Sequence, residues 1–327
     1  MSKIVTIFGG SGFVGRYIAR RMAKQGWRVK VAVRRPNEAL FVKTFGSVGQ
    51  VEPVLCNIRD DETVANALQG AEAVVNCIGT FDENGKNNFV AIQSEGPVRI
   101  ARMAVKFGIS RMVHISSIGA DLDAASVYSK TKACGENGIL EHLANSVILR
   151  PSIIFGPEDQ FFNRFAAMSK ISPFIPLIGA NTKFQPVYVD DVALAATQAV
   201  TGDIKAGIYE LGGPEVLSFE YLIRRMLNVI KCHRLILKVP FFAAHFMAWG
   251  FDILQRASFG IFKNGIVTPD QVKSLAVDNI VSGTQKTFDD LEIVPTALDA
   301  VLPDYLWSHR PSGQFSAIKD SAGKLNK

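Results

Sequence analysis

Apolar and polar positions change period repeatedly along the first two thirds of the chain. Short runs rich in β-branched residues occur at 3–8, 29–33, 51–55, 73–76, 111–115 and 146–149. They have the length of strands, and the run at 3–8 the continuity of one buried on both faces. Between them lie stretches of helical period, one beginning at Gly15 and one after Arg34-Arg35-Pro36. Others cover 60–68, 88–107 and 127–143. Strand–helix alternation of this kind predicts an α/β fold, a doubly wound parallel sheet with right-handed crossovers and helices on both faces. In such sheets ligands sit at the carboxyl ends of the strands, so those ends carry the candidate chemistry.

The last third reads differently, as short elements broken by Pro and Gly. Within it, 239–262 (VPFFAAHFMAWGFDILQRASFGIF) places Phe242, Phe246, Trp249 and Ile253 on one helical face after Pro240. Asp252 and Arg256 interrupt the run, which is too short to span a bilayer. Such a stretch fits a membrane interface, a partner's groove or the core of a small domain. The expected organisation is a nucleotide-binding domain of residues 1–157 with 186–212. A smaller C-terminal domain takes 158–185 with 213–312, and a polar surface tail takes 313–327.

Composition narrows the functional classes. The 327 residues, 48% hydrophobic, suffice for one large domain and a smaller one. Cys56, Cys77, Cys134 and Cys232 have no CxxC spacing, and no secretory leader is expected before them, so they read as reduced cytosolic thiols. The formal charge of +6 is compatible with an anionic surface or an acidic partner, but no basic stripe of a nucleic-acid binder is present. The five histidines lack ligand spacing, and no metal site is expected.

The strongest local signal is KIVTIFGGSGFVG, residues 3–15. Gly9 allows a sharp turn out of the strand, Gly12 lets backbone approach a pyrophosphate, and Gly15 lets the helix lie close to the sheet. Ser11, Phe13 and Val14 fill the same turn, where the helix N-terminus offers N–H groups to phosphates. At the end of the second strand an NAD site would carry Asp or Glu, but the chain has Arg34 and Arg35, with Arg16 beside the glycines. Guanidinium groups suit a 2′-phosphate, which favours NADP(H). Asn57 and Ile58 end the third strand, and Asn76, Cys77, Ile78 and Gly79 end the fourth. Ser116 and Ser117 end the fifth. Tyr128 and Lys132 then stand four apart on one helix face.

Together, Gly9-x-x-Gly12-x-x-Gly15, Asn76-x-x-Gly79, Ser116-Ser117 and Tyr128-x-x-x-Lys132 resemble the short-chain dehydrogenase/reductase superfamily, which has a Rossmann-type fold. Arg150-Pro151, Phe155-Gly156-Pro157 and 187–192 (VYVDDV) look like its extended or atypical branch. The resemblance implies Tyr128 as general acid/base, Lys132 lowering its pKa and binding the nicotinamide ribose, and Ser116 or Ser117 orienting a carbonyl. It also implies cofactor contacts from Pro151 and Ile154.

Further along, 267–272 (VTPDQV), 278–281, 295–298 and 303–315 are similar to the NADPH-binding accessory subunits of respiratory complex I and their bacterial relatives. That likeness implies NADPH held as a structural or regulatory group, with the Tyr–Lys pair vestigial or cofactor-contacting. The implied partners are the other subunits of respiratory complex I, at the cytoplasmic side of a bacterial inner membrane, with a possible membrane contact through 239–262. A free-standing NADP-dependent reductase, epimerase or dehydratase is the alternative.

Overall fold

The structure is a computed structural model and describes residues 2–81, 83, 85–202, 204–243 and 268–311. Two compact units emerge. The first gathers Met1–Ser152, Val189–Gly212 and Val281–Pro295, and the second Ile153–Tyr188, Gly213–Ile280 and Thr296–Lys327.

The chain begins with β1 (Ile4–Phe8), α1 (Phe13–Lys24) and β2 (Arg28–Val33), then a 3-10 segment at Pro36–Phe45 and β3 (Val51–Leu55). Next come α2 (Asp61–Leu68), β4 (Ala73–Asn76), a π-helical turn at Val90–Glu95 and α3 (Gly96–Lys106). β5 (Met112–Ile115), α4 (Val127–His142) and β6 (Val147–Pro151) follow. β7 (Ile154–Phe155), α5 (Phe162–Ile171), β8 (Phe174–Ile178), β9 (Lys183–Phe184) and β10 (Val187–Tyr188) belong to the second unit. The chain then returns to the first with α6 (Val189–Thr201) and β11 (Gly207–Leu211).

Seven strands form one sheet in the order β11-β6-β5-β4-β1-β2-β3, and every neighbouring pair is parallel. The order reverses beside β1, so β1 and β4 flank the crevice where doubly wound sheets take their ligands. Apolar runs become strands because both faces are covered. Phe8, Val74, Met112 and Ile148 pack with Leu68, Ile100 and Met103 on one side. α1 and α6 pack together, joined by a two-point ion pair from Arg21 to Asp190 at 2.7 Å. Local chemistry sets the helix starts. Asp60 caps α2 by accepting from the Glu62 N–H, and Ser126 caps α4 by accepting from the Ser129 N–H.

Three features depart from the sequence pattern. The segment after Arg35 is 3-10 rather than α-helical, 88–107 is broken by a π turn, and β11 forms where the sequence pattern predicts no strand. The unit boundaries differ as well. Residues 153–157 and 186–188 group with the second unit, and 281–295 group with the first. There Lys286 bridges Tyr209 of β11, and the Glu210 N–H donates to the Lys286 carbonyl at 2.8 Å.

In the second unit, β8 pairs in parallel with β13 (Leu235–Val239), and β9 pairs antiparallel with β12 (Leu217–Ser218). Its core combines Phe162, Phe184 and Phe219 with Leu222 and Met226 of α7 (Phe219–Val229) and Leu302 of the helix Leu298–Leu306. Within 268–272, Thr268 and Gln271 form a capping box that opens the helix Pro269–Ser274. Most of 239–262, including Phe246, Trp249 and Ile253, lies outside the described residues, as does the tail from 312.

Candidate functional site

The glycine turn is built as tightly as its spacing implies. Gly9 has φ +75°, a left-handed conformation that disfavours any side chain. A Cβ on Gly15 would lie 2.3 Å from the Gly9 carbonyl oxygen and 2.7 Å from the Gly10 Cα, so only glycine lets α1 approach β1 this closely. Gly12 is different. It is exposed, and a Cβ there would meet only the Gly9 oxygen, at 3.2 Å. It also stands at the N-cap of α1 and supplies no side-chain cap, and the first turn holds no acidic residue. The helix entry therefore keeps backbone donors and its positive dipole end for an anion, with Ser11, Phe13 and Val14 around it. A dinucleotide pyrophosphate fits this cradle.

At the end of β2 the arginine pair divides. Arg34 is exposed and makes no ion pair among the described residues, whereas Arg35 is bonded to Glu38 at 3.0 Å. Arg16 reaches back to the Ser11 carbonyl at 3.2 Å and lies 5.1 Å from the Phe41 ring centroid. Beyond β3, the Asn57 side-chain oxygen accepts from the Arg59 N–H at 3.2 Å. Ile58 is buried, its Cδ1 2.6 Å from where a Cβ on Gly96 would stand.

Asn76 at the end of β4 accepts from the Ile78 N–H through its oxygen, at 3.1 Å, so its amide nitrogen donates to His114 Nδ1, also at 3.1 Å. That pairing fixes His114 as a neutral ring protonated on Nε2, and burial, aided by Lys132, holds its pKa well below the usual value. Gly79 lies beside the lysine, where a Cβ would stand 3.5 Å from Lys132 Nζ, an ordinary contact distance.

α4 brings Tyr128 and Lys132 to this crevice. Lys132 is 4% exposed and donates to the Ile115 carbonyl at 3.2 Å. Burial lowers its pKa to about 8, and Glu136 and Cys77 oppose that shift. The Tyr128 ring is stacked on Phe81 and edge-on to Phe89. Burial pushes its phenol up to about 12, with Ser117 pulling the other way. The expected lowering by lysine is thus absent in this state, because desolvation of the phenolate dominates.

The two serines also separate. Ser116 donates to Glu136, while Ser117 Oγ, buried near Tyr128, makes no hydrogen bond within normal geometric limits. Pro151 ends β6, its carbonyl accepting from the Ile118 N–H at 3.0 Å. Ile154 lies on β7 in the second unit, paired with Val187.

Sequence reasoning missed Glu136, Gln93 and Phe81. Gln93, 1% exposed on the π turn, donates to the Thr80 carbonyl at 2.9 Å and so ties down the loop leading to Phe81. A signal existed for Glu136 alone, four residues after Lys132 on the same face. No group of metal-ligating residues exists among the described residues.

A crossover sheet with a glycine-rich first turn and a Tyr–Lys helix defines a class, and the chain belongs to the NAD dependent epimerase/dehydratase family, whose profile matches residues 5–212. Binding a nicotinamide dinucleotide is the property that family and fold share.

The likeness to individual proteins extends further along the chain. It is 33% identical over 316 residues to the mitochondrial NADH dehydrogenase [ubiquinone] 1 alpha subcomplex subunit 9 of Arabidopsis thaliana, covering 95% of this chain and 79% of that protein. The subunit of the same name from Dictyostelium discoideum is 28% identical over 323 residues, covering 98% and 89%. Among solved structures, that of gox2253 superposes with a TM-score of 0.70 at 20% identity over 93% of this chain and 97% of that one, a likeness of fold.

Proposed function

We propose that this protein is an NADPH-binding accessory subunit of respiratory complex I, in which the cofactor serves structure or regulation and is not turned over. The observation that carries the reading is the contrast within the site. The glycine cradle is complete, while the Tyr128 phenol is raised to about 12 beneath an aromatic ring. A phenol so placed needs a further cation or the bound cofactor to lower its pKa before it can exchange a proton near neutrality, whereas the cradle needs nothing more to hold a dinucleotide. The end-to-end similarity to alpha subcomplex subunit 9 supports the assignment to complex I, since it includes the region after residue 212.

The cofactor would lie across the carboxyl ends of β1, β2, β4 and β5. Gly9, Ser11, Gly12, Phe13, Val14 and Gly15 would hold the pyrophosphate, and Arg34, with Arg16 nearby, the 2′-phosphate. Asn57 and Ile58 would lie towards the adenine, and Ile78, Gly79, Tyr128, Lys132, Pro151 and Ile154 towards the nicotinamide. When bound, the group would supply a redox-active ring. This chain's residues bind and orient it.

No helix of the described residues is long and apolar enough to cross a membrane. We place the protein peripherally, at the cytoplasmic side of a bacterial inner membrane, held by other complex I subunits. Phe241 and Phe242, 37% and 70% exposed, stand near the start of 239–262, the stretch proposed to touch the lipid surface.

The test is mass spectrometry of intact complexes from native membranes. Co-purification with NADH:quinone oxidoreductase subunits, carrying NADPH, is the expected result. A soluble protein that oxidises NADPH with a carbonyl substrate would replace this reading with the free-standing enzyme.

A further inference from the structure

We propose that Glu136 is a positioning residue of the dinucleotide site, a buried carboxylate that fixes Ser116 and supplies the counter-charge for Lys132. The inference rests on Lys132 contacting the cofactor, as proposed above.

Geometry comes first. Tyr128, Lys132 and Glu136 are spaced four and four, so they occupy successive turns on one face of α4. The Glu136 side chain is 2% exposed. Its oxygens are fully engaged. Oε1 accepts from the Ser116 hydroxyl and from Arg150 Nε at 3.1 Å, and Oε2 accepts from Arg150 Nε at 3.1 Å and Nη2 at 2.5 Å. One carboxylate therefore ties α4 to β6 and to the end of β5.

The helix is held against its neighbours. A Cβ on Gly135 would lie 2.1 Å from the Gln93 carbonyl oxygen, and one on Gly138 2.4 Å from Val98 Cγ2. Because the Ser116 hydroxyl donates to Glu136, it is Ser117 whose hydroxyl acts on Tyr128.

The charges around Lys132 make the second half of the argument. On its own helix it faces Tyr128 and Glu136, from the end of β4 Cys77, and from β5 His114. Arg150 approaches from β6, on the other side of the carboxylate. His114 is neutral, the Cys77 thiol is pushed up to about 12, and Tyr128 is protonated. Glu136 is thus the formal negative charge next to Lys132 among the described residues. A buried ammonium left without a counter-charge tends to lose its proton, and a neutral amine is a weaker partner for a ribose hydroxyl or phosphate.

The experiment uses the full chain with lysine labelled with carbon-13 at Cε, titrated by NMR without cofactor. The Lys132 signal is assigned by its loss in Lys132→Arg. The wild-type midpoint is expected near 8. Glu136→Gln should move it down by roughly one pH unit or more, while Glu136→Asp, which keeps the charge, should restore most of the shift. A purely structural role for Glu136 would lower stability and leave the midpoint in place.

NADPH affinity, followed by the cofactor's fluorescence, should fall about twofold at pH 7 in Glu136→Gln for a midpoint one unit lower, in proportion to lost protonation, and recover towards pH 6. If Glu136→Gln does not fold, Glu136→Gln combined with Arg150→Met removes both buried charges and permits the same titration. An unmoved Lys132 midpoint in either variant overturns the proposal. A midpoint that shifts in Glu136→Gln, together with a wild-type protein that does not bind NADPH, supports the counter-charge role and refutes the cofactor reading.

Discussion

The rings of Phe81 and Tyr128 are stacked, with centroids 5.0 Å apart and planes 14° from parallel. Phe89 meets the same tyrosine edge-on at 6.0 Å. Tyr128→Phe keeps both contacts and deletes only the hydroxyl. If the cofactor is structural, NADPH retention, complex assembly and NADH:quinone turnover in native membranes should match wild type. Loss of a separate NADPH-dependent reaction by about a hundredfold or more would identify Tyr128 as a working acid.

The two helix-entry glycines should fail in different ways. Gly12→Val places a branched side chain in the pyrophosphate's path but meets little protein, so the apo fold should persist while NADPH binding is abolished. Gly15→Ala drives a methyl into the Gly9 carbonyl, with a contact of 2.3 Å if nothing moves, and should destabilise the protein itself. Circular dichroism melts beside fluorescence titration would separate the two. Equal melting temperatures for both variants would contradict the geometry.

Arg34, unlike Arg35, has no carboxylate partner among the described residues. Arg34→Asp should weaken NADPH binding by about 2–3 kcal/mol and leave NADH nearly unchanged. Arg35→Ala should cost much less. Wild-type protein that binds NADH and NADPH equally would refute the 2′-phosphate assignment.

Lys132 makes the stability of the apo protein depend on pH in a definite direction. Its folded pKa, about 8, lies below the ordinary 10.5, so between those values the unfolded chain binds more protons. Stability should therefore rise as pH goes from about 8 to 10.5, and be lost as pH falls through 8. Lys132→Met should abolish that dependence and stabilise the apo protein near pH 7, while weakening NADPH binding. Urea midpoints at pH 7 and 10 would show it, and identical pH profiles for the two proteins would exclude it.

How legible the site was depended on whether a residue's role is local. The glycine turn reads from sequence because its requirements, a left-handed Gly9 and a close Gly15, arise within one strand–turn–helix unit. The strands β1 to β6 read because each is a short, Val- and Ile-rich stretch between helical segments, even where Lys30, Glu52 or His114 interrupts it. β11 did not, since GIYEL is short and its tyrosine and glutamate look exposed until Lys286 and Ser282 are seen bonding them. The π turn at Val90–Glu95 hides inside an uninterrupted helical period. Glu136 resembles a solvent-facing charge on an amphipathic helix, because its reason for being buried, Arg150, lies on another strand.

The return of 281–295 to the first unit has a consequence for synthesis. A ribosome makes β11 some seventy residues before the segment that covers its outer edge. Until residue 295 has emerged, the main-chain groups of that edge lack a native partner, and an open edge invites pairing with other chains. Maturation of the nucleotide-binding unit is therefore a late event, completed only after most of the second unit has been made. A chain stopped at residue 280 would retain all seven strands and the glycine cradle, yet leave the ribosome with an adhesive margin.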